Sequence, residues 1–203
     1  MHDRFPAKQV PARRGMNPAT LLEETASTLT AALEAGGIHE LQDVSKEECL
    51  RALVQLLPLP DGRDRGLLLR LLLGRPASAS LVVSDGIAIP YGSNPIVLHF
   101  CQPTITLALL SKPVDFGAAD SKAVDSLFFI IGPTAHRHTQ LLSRLSLALQ
   151  DSDLKHAVNR HAPGDEIMRE LRRVDAEMEA QELQGRRHER DLMISERRRS
   201  RCL

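Results

Sequence analysis

The stretch Asp-Gly-Ile-Ala-Ile-Pro-Tyr-Gly-Ser-Asn-Pro-Ile-Val-Leu-His, residues 85–99, decides how the rest of this sequence is interpreted. A short apolar run ends at Pro90, and the turn residues at 92–95 lead into a second apolar run. Proline fixes its own φ and favours an extended residue before it, so the side chain after Pro90 is held in a defined direction. Tyr91 is therefore the candidate position for chemistry.

Bulk composition restricts the class of protein. The 203 residues include 26 basic and 26 acidic side chains and 42% apolar residues, which suits one globular domain with additional ends. Cys49, Cys101 and Cys202 are too few and too scattered for a disulfide framework or a zinc site, and we expect no metal and no cofactor. The sequence has no apolar window long enough for a membrane span and no signal peptide. We therefore expect a cytoplasmic protein.

Short apolar or β-branched runs separated by turn residues predict strands between residues 80 and 131. Helical spacing of apolar residues predicts helices before and after them, so the fold class is α/β, with helices layered on a sheet. The predicted strands are Leu81–Val83, Gly86–Ile89, Ile96–Phe100, Thr104–Leu110 and Ser126–Ile131.

Three helices are predicted before the strands. Asn17-Pro18 favours the start of a first helix that continues to Gly36. Ser45 opens a capping box for a second helix that ends at Pro58. Asp64 is the predicted cap of a third helix, and its leucines on every side predict burial on every side.

After the strands, helical spacing predicts a helix around Leu141–Leu149, a shorter one after Asp151 and a final amphipathic helix that starts at Pro163. We divide the chain into a flexible arm at 1–16, a domain at 17–180 and a basic tail at 181–203. Residues 186–203 hold seven arginines against three acidic residues, a net charge of +4. Such a tail is expected to be disordered, with a polyanion or membrane-surface contact as the alternative.

The residues around Tyr91 resemble the signature of the EIIA domains of the bacterial phosphotransferase system, of the fructose, mannitol and nitrogen type. That family carries a Gly-[Ile/Val]-Ala-[Ile/Leu]-Pro-His motif, whose histidine accepts a phosphoryl group. Gly86 to Pro90 match this motif, and Tyr91 stands at the position of the histidine. The resemblance implies a central mixed sheet of about five strands, flanked by helices on both faces.

Further segments resemble the same family in the expected order, over roughly residues 30–175. His138 resembles the partner histidine, which in the family orients the acceptor and stabilises its phosphorylated form. The other similar segments are Ala35–Ile38, the capped helix at 45–57, the loop Lys112–Asp120 and the strand Val124–Phe129. We expect the binding surface around Tyr91 to include Pro90, Gly92, Asp115 and Phe116.

The leading functional hypothesis is a regulatory EIIA-like protein that binds a partner and cannot relay phosphoryl groups. The partner implied is a histidine-containing phosphocarrier protein or a regulated sensor or transporter. One alternative is a working phosphotransferase component that accepts the phosphoryl group on His138, so whether the protein is an enzyme stays open. Another is a nucleic-acid-associated regulator that acts through the arginine-rich tail, although no interleaved aromatic residues favour single-stranded nucleic acid.

Overall fold

A computed structural model describes residues 28–42, 45–59, 62–74, 81–84, 86–90, 95–98, 102–116 and 123–199. Tyr91, Gly92 and the predicted arm at 1–16 lie outside these ranges, as do residues 17–27 of the predicted first helix.

The sheet contains β1 (Ile38–Leu41), β2 (Leu81–Ser84), β3 (Ile87–Ile89), β4 (Thr104–Val114) and β5 (Val124–Ile131). Their order in the sheet is β1-β4-β5-β3-β2. The β1–β4 and β3–β5 pairs are parallel, whereas the β4–β5 and β2–β3 pairs are antiparallel. The predicted α/β fold with a mixed sheet flanked by helices is thereby confirmed.

The strands that form this sheet differ in part from the predicted set. Ile38–Leu41 forms the edge strand β1, in which only Leu41 is buried. The sequence does not predict this strand, because four residues are too few to show a clear alternation of apolar and polar side chains. The apolar run that starts at Ile96 is not a strand in its described part. Within residues 95–98, only Val97 forms a bridge, and its partner is Gly132.

Six helices lie within the described ranges. Ser45 caps the second of them as predicted, because its Oγ accepts a hydrogen bond from the Glu48 N–H at 3.2 Å and donates one to Glu48 Oε2 at 2.6 Å. The helices are α1 (Leu29–Gly36), α2 (Lys46–Leu56), α3 (Gly62–Leu73), α4 (Ala135–Ala148), α5 (Ser152–Asn159) and α6 (Gly164–Arg199).

The first helix begins later than the sequence predicts. Thr28 has extended backbone angles, and its Oγ1 accepts a hydrogen bond from the Ala31 N–H at 3.1 Å. This is the geometry of an N-cap, so the helix starts at Leu29 and does not continue from Asn17. The predicted part of this helix before Thr28 lies outside the described residues.

The third helix is buried on one side only. It starts at Gly62, ahead of the predicted cap Asp64. Leu68 and Leu72 are 3% and 0% exposed, whereas Leu67 and Leu71 are each 51% exposed. The predicted burial on every side is wrong, because the sheet and α2 cover one face of α3 and, among the described residues, nothing buries the other.

Each face of the sheet carries its own apolar core, because successive side chains of a strand point to opposite faces. Ile105, Leu107 and Leu109 of β4 pack with α1, α4, α5 and α6 on one face. Ala108 and Leu110 of β4 pack with α2 and α3 on the other. Helices therefore cover both faces, which explains why β4 and β5 are almost continuously apolar.

The last helix extends well beyond the core. Its first half buries Ile167, Leu171 and Val174, as the predicted amphipathic spacing requires. Every described side chain from 180 to 190 is exposed. The backbone is helical to Arg199. In the part of the chain that the structure describes, no helix is both long and apolar enough to span a bilayer.

Candidate functional site

Strand β3 contains the central residues of the Gly86–Pro90 motif and ends directly before Pro90. Ile87 and Ala88 are aligned with Ser126 and Leu127 of β5 in a parallel ladder. Ile87, Ala88 and Ile89 are each 0% exposed. Pro90 follows directly and is also buried. The buried ladder thus fixes the point at which the chain leaves the sheet.

The chain returns to the sheet at residues 95–98. The N–H of Gly132 donates a hydrogen bond to the carbonyl of Ile96 at 3.2 Å, and the N–H of Leu98 donates to the carbonyl of Gly132 at 3.1 Å. Gly132 lies immediately after β5, so both attachment points of the intervening stretch lie toward the carboxyl ends of β3 and β5. Tyr91 and Gly92 belong to that intervening stretch and lie outside the described residues.

Gly132 also contacts the start of α4, where His138 lies. A Cβ atom at Gly132 would lie 2.7 Å from the backbone nitrogen of His138 and 2.9 Å from the carbonyl oxygen of Thr134. Only glycine permits this approach of the strand end to the helix. Gly132 therefore joins the returning chain at Ile96 to the first turns of α4.

His138 is held by the regular start of α4. Thr134 caps the helix, because its Oγ1 accepts a hydrogen bond from the Arg137 N–H at 3.2 Å. The backbone N–H of His138 donates to the Thr134 carbonyl at 3.0 Å. His138 is 2% exposed, whereas His136 lies on the exposed side of the helix, as the predicted helical spacing requires.

Asp115 and Phe116 lie at the other end of the sheet. β4 is antiparallel to β5, with Thr104 opposite Ile131 and Val114 opposite Val124. The seven steps of β5 separate these ends by about 23 Å, at roughly 3.3 Å per residue. The structure therefore brings Pro90 and His138 to one end of the sheet and does not bring Asp115 and Phe116 to them.

Phe116 has a packing role where it lies. It is 1% exposed, and its carbonyl accepts a hydrogen bond from Lys46 Nζ at 3.2 Å. The same ammonium group is 5.7 Å from the centroid of the Phe116 ring. These contacts connect the end of β4 to the start of α2 and leave the ring unavailable at the surface.

A polar cluster of Asp125, Ser126 and His161 joins β5 to the junction of α5 and α6. Ser126 Oγ donates a hydrogen bond to Asp125 Oδ1 at 2.9 Å and lies 3.5 Å from His161 Nε2. His161 Nε2 is 3.9 Å from the same Asp125 oxygen. A catalytic triad requires the carboxylate to orient the opposite ring nitrogen of the histidine. Here Asp125 lies nearer to Nε2 and itself accepts the hydrogen bond of the serine hydroxyl, so the cluster lacks the geometry of an activated nucleophile.

Sequence reasoning names His138 and Pro90 as candidate site residues but misses Gly132, which is hydrogen-bonded to the returning chain at Ile96 and packs against the start of α4. The signal is present, because Gly132, Pro133 and Thr134 are turn and capping residues between an apolar strand and a helix. Among the described residues, no group of three or more His, Cys, Asp or Glu side chains could hold a metal ion.

Curated relatives belong to the phosphotransferase system and to nitrogen regulation. The "PTS system fructose-specific EIIA component" of Haloferax volcanii is 35% identical over 133 residues, which cover 64% of this chain and 82% of that protein. The "Nitrogen regulatory protein" of Bradyrhizobium diazoefficiens is 28% identical over 112 residues, which cover 54% of this chain and 71% of that protein.

Solved structures share the fold. The nitrogen regulatory protein IIA-Ntr of Neisseria meningitidis superposes with a TM-score of 0.56 at 20% identity, covering 68% of this chain and 93% of that one. A PTS IIA of Streptococcus mutans superposes with a TM-score of 0.53 at 17% identity, covering 73% of this chain and 96% of that one. The profile of the family described as "Phosphoenolpyruvate-dependent sugar phosphotransferase system, EIIA 2" matches residues 37–174, and the chain therefore belongs to that family.

Proposed function

We propose that this chain is a regulatory EIIA-type protein that binds a partner and does not relay phosphoryl groups, because Tyr91 occupies the acceptor position. Gly86 to Pro90 match the family motif residue by residue, and Tyr91 is the next residue. The proposed partner is the histidine-containing phosphocarrier protein, or a sensor or transporter that the unphosphorylated domain regulates. The expected location is the cytoplasm, where such partners are found.

One observation carries the proposal. The buried end of β3 at Pro90 and the segment from Ile96, which is hydrogen-bonded to Gly132, both lie toward the end of the sheet at which α4 begins, and His138 is buried in the first turns of α4. Residue 91 is joined by one peptide bond to Pro90, which is buried at the end of β3. This arrangement supports a site in which residue 91 and His138 face each other.

The chemistry of a phenol supports a site that does not relay phosphoryl groups. A phosphoryl carrier needs a nucleophile that is partly deprotonated near neutral pH. Imidazole, with an unperturbed pKa of about 6.5, satisfies this condition, whereas a phenol titrates near 10. A phosphotyrosine ester is also a poor donor compared with a nitrogen–phosphorus bond. Tyr91 thus gives the protein the permanent charge state of an unphosphorylated domain.

His138 is a poor candidate for a substitute acceptor. It is 2% exposed, and a nucleophile in this position has little access to a phosphoryl donor on another protein. The role that best fits a buried imidazole is to contact the group at position 91. The printed name of one relative, "Nitrogen regulatory protein", also supports a regulatory role.

The test is phosphoryl transfer from radiolabelled phosphoenolpyruvate through Enzyme I and the phosphocarrier protein. The acceptors are the natural protein, Tyr91→His, Tyr91→Phe and Tyr91→His with His138→Gln. We expect no label on the natural protein or on Tyr91→Phe, an acid-labile label on Tyr91→His, and less label when His138 is also replaced. Label on the natural protein that survives in Tyr91→Phe would overturn the proposal, because the chain would then relay through another residue.

A binding measurement separates partner recognition from phosphorylation. The phosphocarrier protein is titrated against the natural protein and Tyr91→Glu, which introduces a negative charge at the acceptor position. We expect Tyr91→Glu to weaken the complex at least tenfold. Lys112→Glu, at the opposite end of the sheet, is the control and is expected to bind as the natural protein does. Equal affinity of all three proteins would exclude this face as the contact surface.

A further inference from the structure

His161 has a backbone conformation that residues with a side chain rarely adopt. It follows the last turn of α5 with a φ of 51°, and among the described residues other than glycine it alone has a positive φ. Its N–H donates to the Val158 carbonyl at 3.0 Å, and the N–H of Ala162 donates to the Ala157 carbonyl at 2.9 Å. Glycine is the usual residue at a helix end with these two hydrogen bonds. A histidine here carries backbone strain, which points to a role for its side chain.

This backbone conformation places the imidazole of His161 beside the start of β5. Its Nε2 atom lies 3.5 Å from Ser126 Oγ and 3.9 Å from Asp125 Oδ1. The side chains of His161 and Asp125 are 31% and 29% exposed, so water and dissolved ions can reach them. The cluster is therefore open to solvent on one side.

The ring nitrogen is farther from both oxygens than in a close hydrogen bond, whose length is about 2.7–3.2 Å. The Ser126 hydroxyl donates its proton to Asp125 Oδ1 at 2.9 Å, so the lone pairs of its own oxygen remain available. Nε2 also carries a lone pair when the imidazole proton is on Nδ1. Three atoms with lone pairs thus face one another without a proton shared with the ring.

The distances between these three atoms suit a metal ion. Separations of 2.9, 3.5 and 3.9 Å define a point about 2.0 Å from all three atoms, and zinc binds nitrogen and oxygen ligands at about 2.0–2.2 Å. An ion close to this point would be within bonding distance of one nitrogen and two oxygens.

Gly86 holds the two residues of β5 in place. Its carbonyl accepts hydrogen bonds from the N–H of Asp125 at 3.0 Å and from the N–H of Ser126 at 3.2 Å. Gly86 has a φ of 88°, and a Cβ atom there would lie 2.9 Å from Asp125 Oδ2. Glycine therefore leaves room for the carboxylate beside the backbone of the neighbouring chain.

We propose that Asp125 Oδ1, Ser126 Oγ and His161 Nε2 bind a Zn²⁺ ion, with water completing its coordination from the exposed side. An imidazole ligand favours zinc over Mg²⁺ and Ca²⁺, which prefer oxygen ligands. Because one ligand is a neutral hydroxyl, binding is weaker than at a structural site with four Cys or His ligands. The ion joins β5 to the junction of α5 and α6, at the end of the sheet opposite Gly132, and does not depend on the acceptor position.

The experiment is calorimetric titration of the full chain with zinc chloride, followed by thermal unfolding with and without the metal. The variants are His161→Gly and Asp125→Asn, which each remove one ligand. The controls are His136→Gln and Asp153→Asn, which change exposed residues of α4 and α5. We expect zinc to bind at least tenfold more weakly to both variants and equally to the natural protein and the controls.

His161→Gly separates zinc binding from folding, because glycine adopts a positive φ without strain. Without zinc, this variant should unfold at the temperature of the natural protein or above it. Zinc should raise the unfolding temperature of the natural protein and of the controls but not of His161→Gly or Asp125→Asn. Zinc affinity that is unchanged in both ligand variants, or that falls equally in His136→Gln, would overturn the proposal. Tighter binding of Mg²⁺ than of Zn²⁺ would do the same.

Discussion

The carboxylate of Asp175 accepts a hydrogen bond from the backbone N–H of Thr30 at 3.0 Å, although 145 positions separate the two residues. The other oxygen of this carboxylate contacts Arg144 at 3.0 Å. One buried side chain of α6 therefore joins the start of α1 to the middle of α4. The side chains of Asp175 and Arg144 are 5% and 13% exposed, so this pair is largely removed from water.

Asp175→Asn should destabilise the protein by about 3 kcal/mol, because it leaves the buried Arg144 guanidinium without its main counter-charge. Urea denaturation followed by circular dichroism gives this value. The control is Glu182→Gln, since Glu182 pairs with the same arginine but is 47% exposed. We expect less than about 1 kcal/mol for the control. A loss of similar size for both variants would contradict a special role of burial.

Gly132→Ala should destabilise the protein by about 1–3 kcal/mol, because the added methyl group would meet backbone atoms of His138 and Thr134 that cannot rotate away. The same change at Gly185, where a Cβ would have no neighbour within 4 Å, is the control. Gly185→Ala lies inside α6 and should raise helix content, as alanine is the better helix former. Thermal unfolding of both variants measures the difference between their changes in stability.

The two sides of α3 should respond differently to substitution. Leu72→Ala should cost about 2–5 kcal/mol, because Leu72 is 0% exposed and its removal leaves a cavity. Leu71→Ala, one position earlier at 51% exposure, should change stability by about 0.5 kcal/mol or less. Chemical denaturation distinguishes the two. A large loss for Leu71→Ala would mean that this face is covered in solution.

Asp151 should make a pH-dependent contribution to stability. Its pKa is lowered from its ordinary value of 3.8, chiefly by the hydrogen bond from the Leu154 N–H at the start of α5. Burial opposes this effect, and the hydrogen bond and charge of Arg173 lower the pKa further. A carboxylate with a lowered folded-state pKa stabilises the fold above its unfolded pKa, and this stabilisation is lost as the pH falls through the folded value.

Asp151→Asn isolates that contribution, because asparagine also caps a helix but carries no charge. The variant should be less stable than the natural protein at pH 7, and the difference should disappear as the pH falls from about 5 to below 3. Thermal unfolding across this range is the measurement. A difference that stays constant with pH would assign the effect to the shape of the cap and not to its charge.

Local signals in the sequence predict much of the fold. The capping box at Ser45 and the turn before α6 are short-range patterns, and both elements start where these patterns indicate. Apolar runs likewise identify β4 and β5, because buried central strands need no alternation. Each of these features depends on residues within a few positions of one another.

Features that depend on distant contacts are not visible in the sequence. Ile38–Leu41 is a strand because it pairs with β4 some 70 residues later, and not because of its own pattern. The exposure of Leu67 and the separation of Asp115 from Pro90 follow from which face and which end of the sheet each occupies. Pro90 and His138 therefore stay predictions for the site, whereas the distance of Asp115 and Phe116 from Pro90 could not be predicted from the sequence.

Backbone groups, and not side chains, hold Ile96 and Leu98 to Gly132. These hydrogen bonds use no side-chain atom, so they do not depend on which side chain stands at the position after Pro90. Under the proposed function, an exchange of tyrosine for histidine at position 91 would therefore leave this attachment of the returning chain intact and change only the chemistry of the acceptor position.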